Sequence, residues 1–240
     1  METSKMRRFW NRRAREDPFF FVDSRLSYGR PHTDRFWEDA RGDLDNILGA
    51  LDVDIGPDES IVEIGCGVGR MTRVLAERGA EVRALDVSQR MLALAREYNR
   101  HLQNVEWLLG DGATLAPIED ASADVCVSTL VFQHIPDPEI TLLYIEEMGR
   151  VLRPGGWAAF QVSNAPGVHR KRTVRERLRG TLRAALGRGP RGQAAAPWLG
   201  SAVDLDRLRE VAASSGMATE RVVGAGTLMC AVLLRSRDAS

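Results

Sequence analysis

Five short apolar runs alternating with helical stretches predict an α/β chain, and a glycine-rich turn directly after the first run supports it. A last pair of apolar runs joined by Gly224-Ala225-Gly226 adds two strands at one edge. The expected architecture is a doubly wound, mostly parallel seven-stranded sheet with an antiparallel edge hairpin, because strand–helix alternation builds βαβ crossovers. The chain has 240 residues, enough for one such domain with a sizeable core. An apolar fraction of 44% and a charged fraction of 28% exclude a wholly disordered or collagen-like chain.

The elements follow in order. Residues 1–59 read as an N-terminal helical lid that contains the cluster Phe19-Phe20-Phe21. Ser60–Ile64 is a first strand that stops at Gly65-Cys66-Gly67-Val68-Gly69. Met71, Val74 and Leu75 then fall at i, i+3 and i+4, a helical face, and Gly79 marks its end. Residues 81–85 form a second strand ending at Asp86, and Ser88 is placed to cap a helix carrying Met91, Leu94, Ala95 and Tyr98 on one face. Val105–Leu109 and Ala123–Ser128 are the third and fourth strands. Ile140, Tyr144, Met148, Val151 and Leu152 mark a helix, with Pro154-Gly155-Gly156 as its stop and residues 157–162 as the fifth strand. Residues 60–164 thus form the core. Residues 165–202 interrupt the alternation as a basic cap, in which Val174, Leu178, Leu182 and Leu186 repeat every four residues beside Arg172, Arg175 and Arg179. Residues 203–240 complete the core with a helix capped by Asp204 and with the runs 219–223 and 228–234.

The formal net charge is zero, from 33 Lys+Arg against 33 Asp+Glu, which argues against a dedicated nucleic-acid binder or a polybasic membrane anchor. The zero hides a division: residues 1–30 carry 8 basic and 4 acidic groups, residues 31–164 carry 11 and 23, and residues 165–240 carry 14 and 6. Cys66, Cys126 and Cys230 are odd in number and scattered, neither a disulfide framework nor a zinc pattern. The basic start is not followed by an apolar stretch of signal-peptide length, and no run approaches the length of a membrane span. A reducing cytoplasm is the expected compartment.

Ligands of an open α/β sheet bind beyond the carboxyl ends of the strands, near the switch point. Glu63, Asp86 and Asp111 stand at or near three such ends. A carboxylate at Asp86, 17 residues after Gly69, can accept from both hydroxyls of a ribose, and one at Asp111 can accept from an exocyclic amine. The competing reading is a tight turn with two surface or helix-capping aspartates. A dinucleotide site prefers G-x-G-x-x-G, whereas here the third glycine comes one position early, which disfavours a nicotinamide-dependent oxidoreductase. The P-loop Lys-Ser/Thr is absent, which argues against nucleotide hydrolysis.

At residues 62–70, Val-Glu-Ile-Gly-Cys-Gly-Val-Gly-Arg, the sequence resembles motif I of the class I S-adenosylmethionine-dependent methyltransferases. Asp86 resembles the ribose-binding acid of that family, Gly110-Asp111-Gly112 its adenine-binding motif, and residues 151–156 the turn before its fifth strand. Val131-Phe132-Gln133-His134-Ile135-Pro136 is similar to the segment after strand four in the small-molecule subgroup called type 11. The resemblance implies a Rossmann-like core, S-adenosylmethionine as methyl donor and S-adenosylhomocysteine as product, with no metal. It implies cofactor-binding roles for Glu63, Gly65, Cys66, Gly67, Gly69, Asp86, Val87, Met91, Gly110, Asp111, Gly112, Val131 and His134. The side chains of Cys66 and Met91 read equally well as ordinary packing.

The implied reaction is in-line displacement of the methyl group by an O or N nucleophile, less readily C, of a small-molecule acceptor, in specialised metabolism. A carrier-bound or peptidyl acceptor is the alternative, and a non-enzymatic binding module a further one. His134 is the candidate base, and Tyr28 a candidate catalytic or substrate residue whose π face suits a cation. His169, Arg175 and Arg179 are candidate acceptor contacts, and His169 and His32 are weaker candidates than His134 for the base. Residues 170–191 hold nine cations and one acid, Glu176. They leave four readings open: a solvated face, recognition of an anionic small molecule, docking to an acidic carrier or neighbouring chain, or contact with a membrane surface or nucleic acid. No Asn-Pro-Pro-Tyr-type motif follows strand four and no Pro-Cys pair is present, which argues against the common base-methylating chemistries. The expected partners are therefore a small acceptor, anionic on one of these readings, and a second copy of the chain as a further candidate, with no nucleic acid.

Overall fold

The computed structural model describes residues 2–30, 33–170, 172–186 and 189–237, the side chains at 177 and 183 excepted; His32 lies outside them. Seven strands form one sheet: β1 (Ser60–Ile64), β2 (Glu81–Asp86), β3 (Val105–Leu109), β4 (Ala123–Ser128), β5 (Leu152–Val162), β6 (Met217–Val223) and β7 (Cys230–Ser236). Their order is β3-β2-β1-β4-β5-β7-β6, with β7 antiparallel to both neighbours and every other pairing parallel. The order reverses between β1 and β4, so their carboxyl ends open the crevice in which a doubly wound sheet binds its ligand.

Inner strands carry apolar residues on both faces because helices cover both. Val62, Cys126, Ala158 and Phe160 join the core on one face, with Ile145 and Met148 of α6 (Pro138–Val151) and Leu208 and Val211 of α9 (Leu205–Ser214). Ile61, Val125, Val127, Trp157 and Ala159 join the other, against Leu44, Leu48 and Leu51 of α3 (Thr33–Leu51) and Met71, Val74 and Leu75 of α4 (Arg70–Ala76). This alternation is the period of two of a strand. Helix α5 (Gln89–Tyr98) starts where Ser88 accepts from Met91 N, the cap its sequence predicts.

Two boundaries differ from the sequence reading. Strand β5 begins at Leu152, five residues before the predicted start, because Pro154-Gly155-Gly156 is a bulge within the strand. Gly155 adopts φ +78°, and a Cβ at Gly156 would fall 2.8 Å from Asp124 O, so the chain kinks there and rejoins β4 at Trp157. The hairpin strands are offset by two residues, leaving Leu228 and Met229 in the connection.

The N-terminal helices α1 (Glu2–Glu16) and α2 (Pro18–Val22) sit over the carboxyl end of the sheet, with Phe19 edge-on to Phe36 at 5.0 Å. Arg70, the first residue of α4, is only 1% exposed. Its Nε donates to Phe36 O at 2.7 Å and its Nη2 to Asp43 at 2.6 Å, with Asp23 at 3.9 Å. Arg25 closes the cluster from outside by bonding both Asp23 and Asp43. Between β5 and α9 lie α7 (Val174–Ala185) and the short α8 (Ala196–Leu199).

Removing one partner of a buried ion pair strands the others. Arg70→Ala should therefore lower the unfolding free energy by about 3 kcal/mol in urea denaturation, and a loss under about 1 kcal/mol would show that Arg25 alone neutralises the two aspartates.

Candidate functional site

The turn after β1 builds the floor of the site. Gly65 N and Cys66 N both donate to Leu85 O, at 2.8 and 2.9 Å, which curls the chain over the end of β2. Gly65 has φ +79°, and a Cβ there would collide with the Val131 side chain; Gly67 has φ +56°, and a Cβ would press on Val22. Both positions need glycine for conformation and for space.

Asp86, at the end of β2, accepts from Gly67 N at 2.9 Å and from Ser88 N at 2.7 Å. Burial pushes its carboxyl up to about 6, against the pull of those two amides. Glu63, buried on β1, accepts from Thr72 Oγ1, and burial pushes it up to about 7, with the Asp86 charge adding to the rise. Neither carboxylate has a cationic partner among the described residues. Both line one cavity, with Gly65, Cys66, Gly67, Val87, Met91, Gly110, Val131 and His134 in the same wall. Arg70 borders it as well, and its Nη1 is buried without a hydrogen-bond partner. The thiol of Cys66 is pushed well above its ordinary range by burial, so it stays protonated.

The helical lid contributes Met6, Trp10, Phe21 and Val22 to that wall. A second cavity adjoins the first and shares Phe21, Val22, Met71, Thr129, Leu130 and His134 with it. Its own lining includes Gln133, Gln161, Arg172 and Trp198. Among the described residues, Gln133 is buried with Oε1 unpartnered, and no hydrogen bond or ion pair engages Arg172.

His134 stands on the wall between the two cavities. Its Nδ1 lies 3.1 Å from Trp198 O, so that nitrogen carries the hydrogen and Nε2 is left as an acceptor. The ring stacks on Trp198 at 5.2 Å and meets Trp10 edge-on at 5.7 Å. Burial pushes its pKa down to about 4, a neutral imidazole at pH 7.

Other expected site residues stand elsewhere. Asp111 accepts from Ala113 N, Thr114 N and Thr114 Oγ1 of its own turn and is exposed; only its neighbour Gly110 reaches the cavity wall. Gly112 packs under Met6 and Val87, and Gly69 under Asn99 and Trp107. Tyr28 donates to Glu16 at 2.6 Å and stacks edge-on to Phe20, outside both cavities. His169 spans Leu199 O and Ser163 Oγ, a bracing position. Arg175 and Arg179 are exposed on α7 and line neither cavity. Trp10 and Trp198 are wall residues that no local pattern marks, whereas Gln133 stands in the segment after strand four and Arg172 in the arginine repeat of the cap. Among the described residues no cluster of His, Cys, Asp or Glu could hold a metal ion.

Residues 62–160 match the family described as "Methyltransferase domain". The malonyl-[acyl-carrier protein] O-methyltransferase of Serratia marcescens is 40% identical over 104 residues, which cover 43% of this chain and 38% of that protein. The trans-aconitate 2-methyltransferase of Mycolicibacterium gilvum is 36% identical over 127 residues, covering 52% and 46%. The chain therefore spans less than half the length of either relative. In fold, the phosphoethanolamine N-methyltransferase 1 of Haemonchus contortus superposes with a TM-score of 0.69 at 15% identity, over 99% of this chain and 49% of that one. With its strand order, glycine turn and strand-end carboxylates, the segment 62–160 matches a methyltransferase domain of the class I, type 11 kind.

Proposed function

We propose that the chain transfers a methyl group from S-adenosylmethionine to an oxygen of a small carboxylic-acid acceptor held in the second cavity. The observation that carries the cofactor reading is the pair Glu63 and Asp86: one buried and one half-buried carboxylate, neither with a cationic partner among the described residues, on one cavity wall with Arg70, whose Nη1 has no hydrogen-bond partner there. Such a wall suits a ligand with hydroxyl and ammonium donors, a cationic centre and a carboxylate. Asp86 would take hydroxyls, Glu63 an ammonium group and Arg70 a carboxylate, while Gly65 and Gly67 let the ligand approach the backbone and Met91 packs beside it. When bound, S-adenosylmethionine supplies a sulfonium methyl already activated for displacement.

The protein then has to orient the acceptor and exclude water, which is where proximity gives its rate gain. Trp10, Phe21 and Val22 close the first cavity from above. Arg172 would pair with a carboxylate in the second cavity, and Gln133 Oε1 would accept from a hydroxyl or amide of the same molecule. His134, with a pKa near 4, is too weak a base to deprotonate an alcohol. An acceptor already ionised at pH 7 needs no such base, so His134 holds the wall between donor and acceptor. By their names, two relatives act on malonyl-[acyl-carrier protein] and trans-aconitate, both acids, which supports the same reading.

Labelled-methyl transfer into extract of the source cell, with mass identification of the product, tests the activity. A methyl ester of a small acid is expected; a labelled protein-sized product would move the acceptor onto a carrier, and no transfer alongside intact cofactor binding would leave a binding module.

Asp86→Ala should weaken S-adenosylhomocysteine binding by about tenfold to a hundredfold in calorimetry, the loss of charge-assisted hydrogen bonds, and an unchanged Kd would contradict the hydroxyl assignment. His134→Ala should lower turnover about tenfold or more while leaving that Kd within about twofold; equal losses would make it a cofactor contact.

Binding should also follow pH. In the free protein Glu63 and Asp86 hold protons up to about 7 and 6, and a cationic ligand favours their ionised forms. Affinity for S-adenosylmethionine should therefore rise as pH increases from 5.5 to 8, by about tenfold, and Glu63→Gln should flatten the rise. A flat profile in the parent protein would remove the two carboxylates from the site.

A further inference from the structure

Helix α7 presents an exposed apolar stripe that the fold does not explain. Val174, Leu178 and Leu182 on the helix and Leu186 at its C-cap are 72%, 65%, 62% and 58% exposed, and none of its described side chains is buried. Of the nine large hydrophobic side chains exposed among the described residues, five lie between 168 and 186. A solvated helix face does not collect aliphatic side chains in this way. Arg175 and Arg179, about 100° and 140° around the helix from Val174, stand on the Leu186 side of the stripe, both exposed. The only acid of residues 170–191, Glu176, is bound at the start of the helix by Arg170 and by the Thr173 cap. The helix is thus apolar on one face, cationic beside it and without a carboxylate to neutralise it.

The spacing says what shape covers the stripe. Steps of four residues advance about 40° around a helix of 3.6 residues per turn, so the side chains sweep an arc of about 120° from Val174 to Leu186. A helical partner needs a seam that stays straight, with a repeat of about 3.5 residues. A flat interface accepts the whole arc at once, with arginines at its edge reaching the polar layer. Val168 and Leu228, also exposed, lie at the rim of the second cavity, and Arg172, which precedes the helix, lines it.

We propose that α7 lies on an anionic lipid bilayer, with Val174, Leu178, Leu182 and Leu186 in the acyl boundary and Arg175 and Arg179 against the acidic headgroups. The seating does not depend on the methyl-transfer reading. It would set the rim of the second cavity at the membrane surface.

The test is sedimentation of the full chain with vesicles of equal parts phosphatidylcholine and phosphatidylglycerol, compared with phosphatidylcholine alone. Binding to the anionic vesicles is expected, weakening as salt is raised. Arg175→Gln with Arg179→Gln should reduce the partition coefficient by about tenfold to thirtyfold. Leu178→Asp with Leu182→Asp should abolish binding while leaving the melting temperature of the chain unchanged, since both side chains are exposed. A chain that stays in the supernatant with anionic vesicles overturns the proposal, and so does a leucine variant that still binds. Two further results would also overturn it. One is a dimer in light scattering that the leucine variant dissociates, with vesicles ignored. The other is binding of a purified acidic carrier protein, lost in the same variant, by a chain that ignores vesicles.

Discussion

The buried guanidinium of Arg70 fixes the relation between the sheet and everything that covers it. It starts the helix that leaves the glycine turn, and it reaches Phe36 O and Asp43 on α3 and comes near Asp23 after α2. A charge at 1% exposure has to be paired, so α3 and the end of α2 cannot drift from the glycine turn without stranding it. That constraint sets Val22 against Gly67 and Phe21 in the cavity wall. Buried ion pairs add little net stability over an apolar replacement, so the cluster is better understood as a device for position. Its remaining Nη1, left without a partner, faces the space that the cluster holds open.

Much of the fold was legible in the sequence because its inner strands are short apolar runs with abrupt ends. β1, β3 and β4 run from residue to residue as read, each stopped by glycine or by a polar turn. The start of β5 was not legible. Pro154-Gly155-Gly156 is a local stop signal, and only tertiary pairing turns it into a bulge, through the positive φ of Gly155 and the close approach of Gly156 to Asp124. The hairpin shows the same limit in smaller form: Gly224 and Gly226 mark a turn, but strand pairing decides where it closes.

The candidate site divides along the same line. Glu63, Gly65, Gly67 and Asp86 sit at strand ends, so sheet order alone brings them to one cavity. Trp198 lies 64 residues beyond His134 and reaches it through α8, and Trp10 arrives from the first helix; no local spacing encodes either contact. Asp111 and Tyr28 were visible as residue types, but their hydrogen bonds are spent nearby, on the 111–114 turn and on Glu16. A strand-end carboxylate is a binding group only if its own loop leaves it acceptors to spare.

The charge division of the chain follows from this arrangement. The net-acidic residues 31–164 contain the two carboxyls that burial has raised, Glu63 and Asp86, neither with a cationic partner among the described residues. The net-basic residues 165–240 contain Arg172 at the second cavity and Arg175 and Arg179 on the outer helix. A cationic donor and an anionic acceptor would then meet across His134, whose ring is neutral. A charged imidazole at that boundary would repel the donor and hold the acceptor too tightly. Its burial between two tryptophans, which costs it basicity, keeps the boundary without a field of its own.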